Sequence, residues 1–127
     1  MFKKLELTAM AQAMSSHAGA RMGVIARNIA NADTPGYKAM DLPDFAETYA
    51  LTGGELRATR ARHLGGRPKG FEPEARRNDG AGAPNGNTVS LEQEMVKAAS
   101  VRQDHEMALA IYRNTSDIIR ASLGRSR

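Results

Sequence analysis

Apolar and small residues recur at helical spacing in two separate stretches, one at each end of this chain, and lose that spacing between them. From Leu5 to Asn31 one line runs Leu7, Met14, Arg21, Asn28, and a second runs Met10 or Ala11, Ala18, Ile25, Ala32, with Met22 and Ile29 alongside. Together they trace a seam of period 3.5. From Leu91 to Leu123 one line reads Leu91, Ala98, His105, Tyr112, Ile119 and the other Met95, Arg102, Leu109, Ser116, Leu123, while Val101, Ala108, Ile111 and Ile118 widen the apolar face. Arg21 and Asn28 interrupt the first seam. Polar residues at seam positions fix register or contact a second partner, although an Arg that snorkels is the plainer account. The predicted fold is all-α, with helices over residues 5–31 and 91–123, about 40 and 50 Å long, packed as a coiled-coil-like pair. Met10, Met14, Ile25, Met95, Leu109 and Ile119 are expected to be shielded, and Leu7, Ile29, Leu91 and Tyr112 to share the packing interface.

The ends of these helices are heavily marked. Asn28–Lys38 reads NIANADTPGYK. Side-chain amides at Asn28 and Asn31 compete for the unsatisfied carbonyls of a helix end, and Asn tolerates a left-handed backbone there. Pro35 drives Thr34 out of the helical region, and Pro35-Gly36 supplies the central pair of a type II turn. A helix terminus needs one such signal, so this much punctuation implies a fixed exit geometry. The second helix opens with Ser90 and Gln93 at capping-box spacing and with Glu92 and Glu94 where the helix dipole favours negative charge. Arg120 and Gly124 mark its end.

Residues 46–88 lack helical periodicity and hold Gly53-Gly54, Gly65-Gly66, Pro68, Gly70, Pro73, Gly80, Gly82, Pro84 and Gly86 among charges. Asn78-Asp79-Gly80 and Asn85-Gly86-Asn87 are turn signals with room for a short β-hairpin. The expected division is an N-terminal helix and turn segment (1–45), an exposed, flexible Gly/Pro-rich insert (46–88) and a C-terminal helix (89–127) packing back on 1–45 as one discontinuous core. Two long helices around a loose middle bury little by themselves, so partner chains are expected.

Composition sharpens this picture. Of 127 residues only 5% are aromatic, with no Trp and no Cys. Ala, Met, Leu and Ile suit helix–helix seams better than a globular centre, and thiolate sites are excluded. The net charge of +4 is spread almost evenly along the chain. The nearest approach to a basic patch, Arg57, Arg60, Arg62, Arg67 and Lys69, reads as a solvated segment, and no nucleic-acid partner is expected. No run approaches the roughly 20 apolar residues of a membrane span. Lys3-Lys4 and Ala11-Gln12-Ala13 imitate the flanks of a signal peptide, but the stretch between is too short and too interrupted by Glu6. The expected mature chain keeps Met1 or Phe2 at its start.

Candidate chemistry is sparse. His17, His63 and His105 have no metal spacing. His105 on the seam reads as a hydrogen-bonded structural His. Asp33, Asp41 and Asp44 surround a helix exit, where turn formation and solvation account for them. Ser15-Ser16 beside His17 do not face it on a helix. No catalytic, cofactor or metal residue and no small-molecule substrate is expected. The Met residues 10, 14, 22, 95 and 107 line either an adaptable groove or an ordinary packing face. Tyr37 either anchors a neighbouring subunit or covers the helix end.

The run Asn28–Lys38 resembles the signature of the bacterial flagellar rod, hook and hook-associated protein family, N-x-A-N-x-x-T-P-G-[FY]-K, matching at Asn28, Ala30, Asn31, Thr34, Pro35, Gly36, Tyr37 and Lys38. Asn85–Met95 resembles the family's second hallmark, N-x-V-x-x-x-x-E-M, at Asn87, Val89, Glu94 and Met95. Within the family the short length resembles the proximal rod subunits. The resemblance covers residues 1–45 and 84–124. It implies a structural, non-enzymatic rod subunit of the basal body, in the periplasmic space, that polymerises through its terminal helices and reaches the rod by flagellar type III export without signal cleavage. It implies as partners other copies of itself, rod proteins such as FlgC, the adaptor FliE, the MS ring and the export gate. By the same analogy Phe2, Leu5 and Leu7 serve export recognition or ordinary helix-start packing. The competing reading is a non-polymerising helical-hairpin adaptor or chaperone that carries the same turn.

Overall fold

The computed structural model describes residues 2–52 and 75–124. In chain order the elements are helix α1 (Phe2–Ala30), strand β1 (Met40–Asp41), helix α2 (Phe45–Thr52), strand β2 (Arg76–Arg77) and helix α3 (Leu91–Gly124). The architecture is the all-α pair expected, with α1 and α3 packed along each other. They run antiparallel: Asn28 meets Glu94 at one end, Ser15 meets His105 midway, and Ala11 and Ala108 line one groove further along. By that register the last turns of α3 run past the start of α1. Helix α3 continues through Gly124, which leaves Arg120 a turn short of its end.

The centre of the pair is built mostly from small and polar residues, with Ile25 the one large apolar side chain fully buried in it among the described residues. Ala11, Ala18 and Ile25 of α1 are buried, as the 3.5-residue pattern predicts. On α3 the buried line is Glu94, Val101, Ala108 and Thr115. Val101 and Ala108 belong to the apolar face expected from the sequence, but neither of the two seam lines occupies that position; the Leu91 line lies about 50° and the Met95 line about 100° around the helix from it. Of the residues expected to be shielded, Ile25 is buried, Met10, Met14, Leu109 and Ile119 are half-buried, and Met95 is 64% exposed. Leu7, Ile29, Leu91 and Tyr112 are also exposed in the single chain. Size is the reason: Val101 and Ala108 let the two helices close on each other, whereas Met or Leu at the centre would hold them apart.

Between the helices the chain forms more structure than its periodicity suggests. Strand β1 pairs antiparallel with β2, Met40 opposite Arg77 and Asp41 opposite Arg76. Helix α2 covers residues where the apolar pattern shows none, because two turns offer too few repeats for periodicity to register. Asp44 and Glu47 at capping-box spacing are the signal that was there to be read. The Thr48 amide donates to the Asp44 carbonyl at 3.1 Å, and the Phe45 and Tyr49 rings meet at 5.3 Å one turn apart. The basic cluster Arg57, Arg60, Arg62, Arg67 and Lys69, His63, and most of the glycine-rich insert lie outside the described residues.

Candidate assembly site

The end of α1 is organised by two asparagines. Asn28 is fully buried. Its Nδ2 donates to the Met40 carbonyl at 2.7 Å and to Glu94 Oε2 at 3.0 Å, and its Oδ1 accepts from the Met40 amide at 3.1 Å and the Tyr37 hydroxyl at 3.3 Å. Both donors and both acceptor sites of the amide are therefore used. One side chain thus fixes the helix end, the returning strand β1 and the first turn of α3. Tyr37 covers the helix end through its hydroxyl, which is the second of the two roles open to it from sequence.

Past Ala30 the helix closes through short-range bonds. The Asn31 amide reaches the Arg27 and Asn28 carbonyls at 3.2 and 3.1 Å, and Asn31 Nδ2 returns to the Arg27 carbonyl at 2.8 Å. No non-glycine residue among those described has a positive φ, so Asn31 acts by capping a carbonyl and not by a left-handed backbone. The turn Thr34–Tyr37 follows, closed by Tyr37 N–H to the Thr34 carbonyl at 3.3 Å with φ of 73° at Gly36. This is the type II turn predicted from Pro35-Gly36.

The second motif completes the first. Asn87, 3% exposed, points its Nδ2 at the carbonyls of Asn31, Ala32 and Thr34, at 3.0, 2.8 and 2.9 Å. The Asn31 and Thr34 carbonyls also accept the Thr34 and Tyr37 amides, at 3.1 and 3.3 Å, so one side-chain amide, its two hydrogens shared among three oxygens, adds to the turn's own bonds and caps the Ala32 carbonyl. Its Oδ1 accepts the Val89 amide at 2.8 Å. The residues before it form a tight hairpin. Gly86 N–H reaches the Ala83 carbonyl and Ala83 N–H the Asn87 carbonyl, both at 2.8 Å, with Gly86 at φ 81°. That is the arrangement of a turn followed by a glycine bulge, at the Asn85-Gly86-Asn87 signal. The hairpin is pinned to the α1 exit by Gly36 N–H to Asn85 O and Thr88 N–H to Tyr37 O, both 3.0 Å, and by Ala39 N–H to Thr88 Oγ1 at 2.8 Å.

Beside this junction lies a charged chain that the sequence does not reveal. Arg21 grips Asp41 with both arms, Nε to Oδ1 at 2.9 Å and Nη2 to Oδ2 at 3.1 Å. Lys97 Nζ stands 3.6 Å from Asp41 and 3.0 Å from Glu94. Arg21 is thus an ion-pair partner and not a snorkelling seam residue, and Asp41 is more than a solvated turn residue. Burial alone would push the Asp41 carboxyl up. The Arg21 hydrogen bonds and charge, the Leu42 amide and Lys97 outweigh it and hold the group below the usual carboxylate range. Among the described residues, every buried side-chain nitrogen and oxygen has a hydrogen-bond partner.

The two described histidines are placed structurally. His17 Nε2 lies 2.7 Å from the Pro43 carbonyl and so carries its proton on that nitrogen, and its ring packs edge-on against Phe45 at 5.7 Å. His105 Nδ1 lies 3.2 Å from Ser15 Oγ, a hydrogen bond across the helix pair. No group of three His, Cys, Asp or Glu among the described residues could hold a metal ion. The remaining motif residues are peripheral: Ala30 and Lys38 are exposed, the Lys38 ammonium reaching Gly86 O at 3.2 Å, while Val89 is half-buried. Sequence reading missed Asp41, Asn85, Thr88 and Lys97 as parts of the junction. Only Asn85 carried a local signal, its turn.

No helix among the described residues is long and apolar enough to cross a membrane. The family model described as flagella basal body rod protein matches residues 8–38. Two strains of Cereibacter sphaeroides carry proteins named flagellar basal body rod protein FlgB that are 36% identical over 93 residues, 72% of this chain and 73% of theirs. A third protein of that name from the same species is 34% identical over the same span.

Proposed function

The chain belongs to the FlgB family of flagellar basal body rod proteins, a structural family, and from that premise we propose that it polymerises through its two terminal helices as a subunit of the proximal rod. In that position it joins the MS ring and export gate to the rest of the rod. Its partners are further copies of itself, the rod protein FlgC and the adaptor FliE, and it uses no cofactor, nucleic acid or small-molecule substrate and performs no catalysis.

One observation carries this reading. The α1–α3 seam is filled mostly by small and polar residues around Ile25, while several bulky apolar residues of both helices face outward. Leu5, Leu91, Met95, Ile118 and Leu123 are 52, 47, 64, 50 and 61% exposed. Monomeric proteins rarely leave so many bulky apolar side chains exposed on their helices, and neighbouring subunits are the covering that the family supplies. The overhanging end of α3 around Ile118, Ala121 and Ser122 offers further unfilled surface. In this reading the core is residues 1–45 with 89–127, and residues 46–88 form an insert whose last part folds onto the α1 exit. Motif residues Asn28, Asn31, Thr34–Lys38, Asn87 and Glu94 set assembly geometry. Delivery is by flagellar type III export without cleavage, with Phe2, Leu5 and Leu7 as recognition candidates.

Electron microscopy of basal bodies from a strain lacking this gene tests the proposal. The expected outcome is an MS ring without a rod. Intact rods with altered export would overturn it in favour of an adaptor or chaperone.

A further inference from the structure

We propose that the hairpin at residues 83–88 is a clasp, and that the exit turn of α1 holds its geometry only when this clasp, delivered from the C-terminal half of the chain, has closed on it. The exit's own bonds are longer than those the clasp adds: Ala32 N–H to Ile29 O is 3.2 Å, Thr34 N–H to Asn31 O 3.1 Å, Tyr37 N–H to Thr34 O 3.3 Å and the Thr34 hydroxyl to Asn31 Oδ1 3.2 Å. The Asn87 amide reaches the carbonyls of Asn31, Ala32 and Thr34 at 3.0, 2.8 and 2.9 Å. A helix end without such partners leaves its carbonyls to water or frays. The contacts on the other side are equally nonlocal. Gly36 N–H, Tyr37 O and Ala39 N–H are taken by Asn85, Thr88 and the Thr88 hydroxyl respectively.

The fit between the two turns is close. A Cβ on Gly86 would stand 3.5 Å from the Gly36 Cα, and both glycines have positive φ, 81° and 73°. Two left-handed glycines, 50 positions apart in sequence, therefore lie back to back. The clasp is also tied to α3. Asn87 holds the Val89 amide, and Ser90 O accepts the Glu94 amide at 2.9 Å in the first turn of that helix. Docking of α3 and closing of the clasp are thus one event, and the direction in which the chain leaves α1 reports that the subunit is complete.

Hydrogen exchange on the full chain tests this. Asn87→Asp keeps the shape of the side chain and its acceptor for the Val89 amide. It replaces the donor by a carboxylate facing three carbonyl oxygens. We expect protection of the Gly36, Tyr37 and Ala39 amides to fall by about tenfold or more, while amides near Ala18 and Val101 keep theirs. Unchanged protection at the exit, or an equal fall in the middle of both helices, would overturn the proposal. If Asn87→Asp shows no protection anywhere, Thr88→Val decides. It removes only the hydroxyl bond to Ala39, and the same loss confined to the exit is expected; uniform loss or none refutes the clasp.

Discussion

Asn28 and Glu94, 66 positions apart in sequence, share a buried hydrogen bond of 3.0 Å that joins the end of the first helix to the start of the last. Each residue belongs to one of the two motifs, so the motifs form a single junction. Asn28 spends its remaining capacity on Met40 and Tyr37, and Glu94 its other oxygen on Lys97. A charged side chain at 2% exposure is tolerable only with such partners.

Removing one partner should therefore cost more than the bond itself. Glu94→Ala leaves the Asn28 amide one acceptor short and Lys97 without its nearest carboxylate. The expected loss is about 1.5–3 kcal/mol in urea unfolding. Asn28→Ala should cost a similar amount, and the double variant clearly less than the two together. Additive losses would show that the two residues act separately.

The Arg21–Asp41 pair makes stability depend on acid. The folded carboxyl titrates below its ordinary value of 3.8, so its contribution is fully present above that value and is lost as pH falls through the folded value. Thermal melting followed from pH 6 down to pH 3 should show a steeper fall for the natural chain than for Asp41→Asn, which lacks the titrating group. Parallel curves would assign the acid sensitivity elsewhere.

Gly36 distinguishes backbone strain from crowding. A Cβ built there meets nothing within 4 Å, yet φ is 73°. Gly36→Val should then suffer because a branched side chain avoids that region, at about 1–3 kcal/mol, and Gly36→Asn should suffer much less because Asn visits it. We expect Gly36→Val, and Pro35→Leu beside it, to remain soluble and synthesised but to block rod growth and motility. Swarming plates and electron microscopy read the outcome, and full motility in both would reduce the turn to punctuation.

The sequence carried the two long helices, their ends and the turn, because periodicity, capping residues and Pro-Gly are local signals. It did not carry the register of α3. Hydrophobicity marks Met95 and Leu109 as core and Glu94 and Thr115 as surface, but close packing selects small residues, and Glu94 is buried because Asn28 stands opposite and Lys97 lies one turn along its own helix. Asp41 and Thr88 were illegible for the same reason: their partners, Arg21 and the Ala39 amide, are distant in sequence. Asn87 was visible as a motif position, but its triple capping of α1 depends on a fold that brings residues more than 50 apart together.

The outward line of α3 separates assembly from folding. Met95 and Leu123 are 64 and 61% exposed, whereas Ala108 is fully buried in the seam. Met95→Asp and Leu123→Asp place a charge in water in the free chain, so its stability should change by no more than about 0.5 kcal/mol. In a rod the same charges would be buried against neighbouring helices, and subunits carrying them should fail to build it. Ala108→Leu should do the reverse. Overpacking the seam costs about 1–3 kcal/mol, which a melting curve of the isolated chain reads directly. Normal rods with Met95→Asp and Leu123→Asp combined would show that this face is not a contact, and the polymerising interface would have to lie elsewhere on the pair.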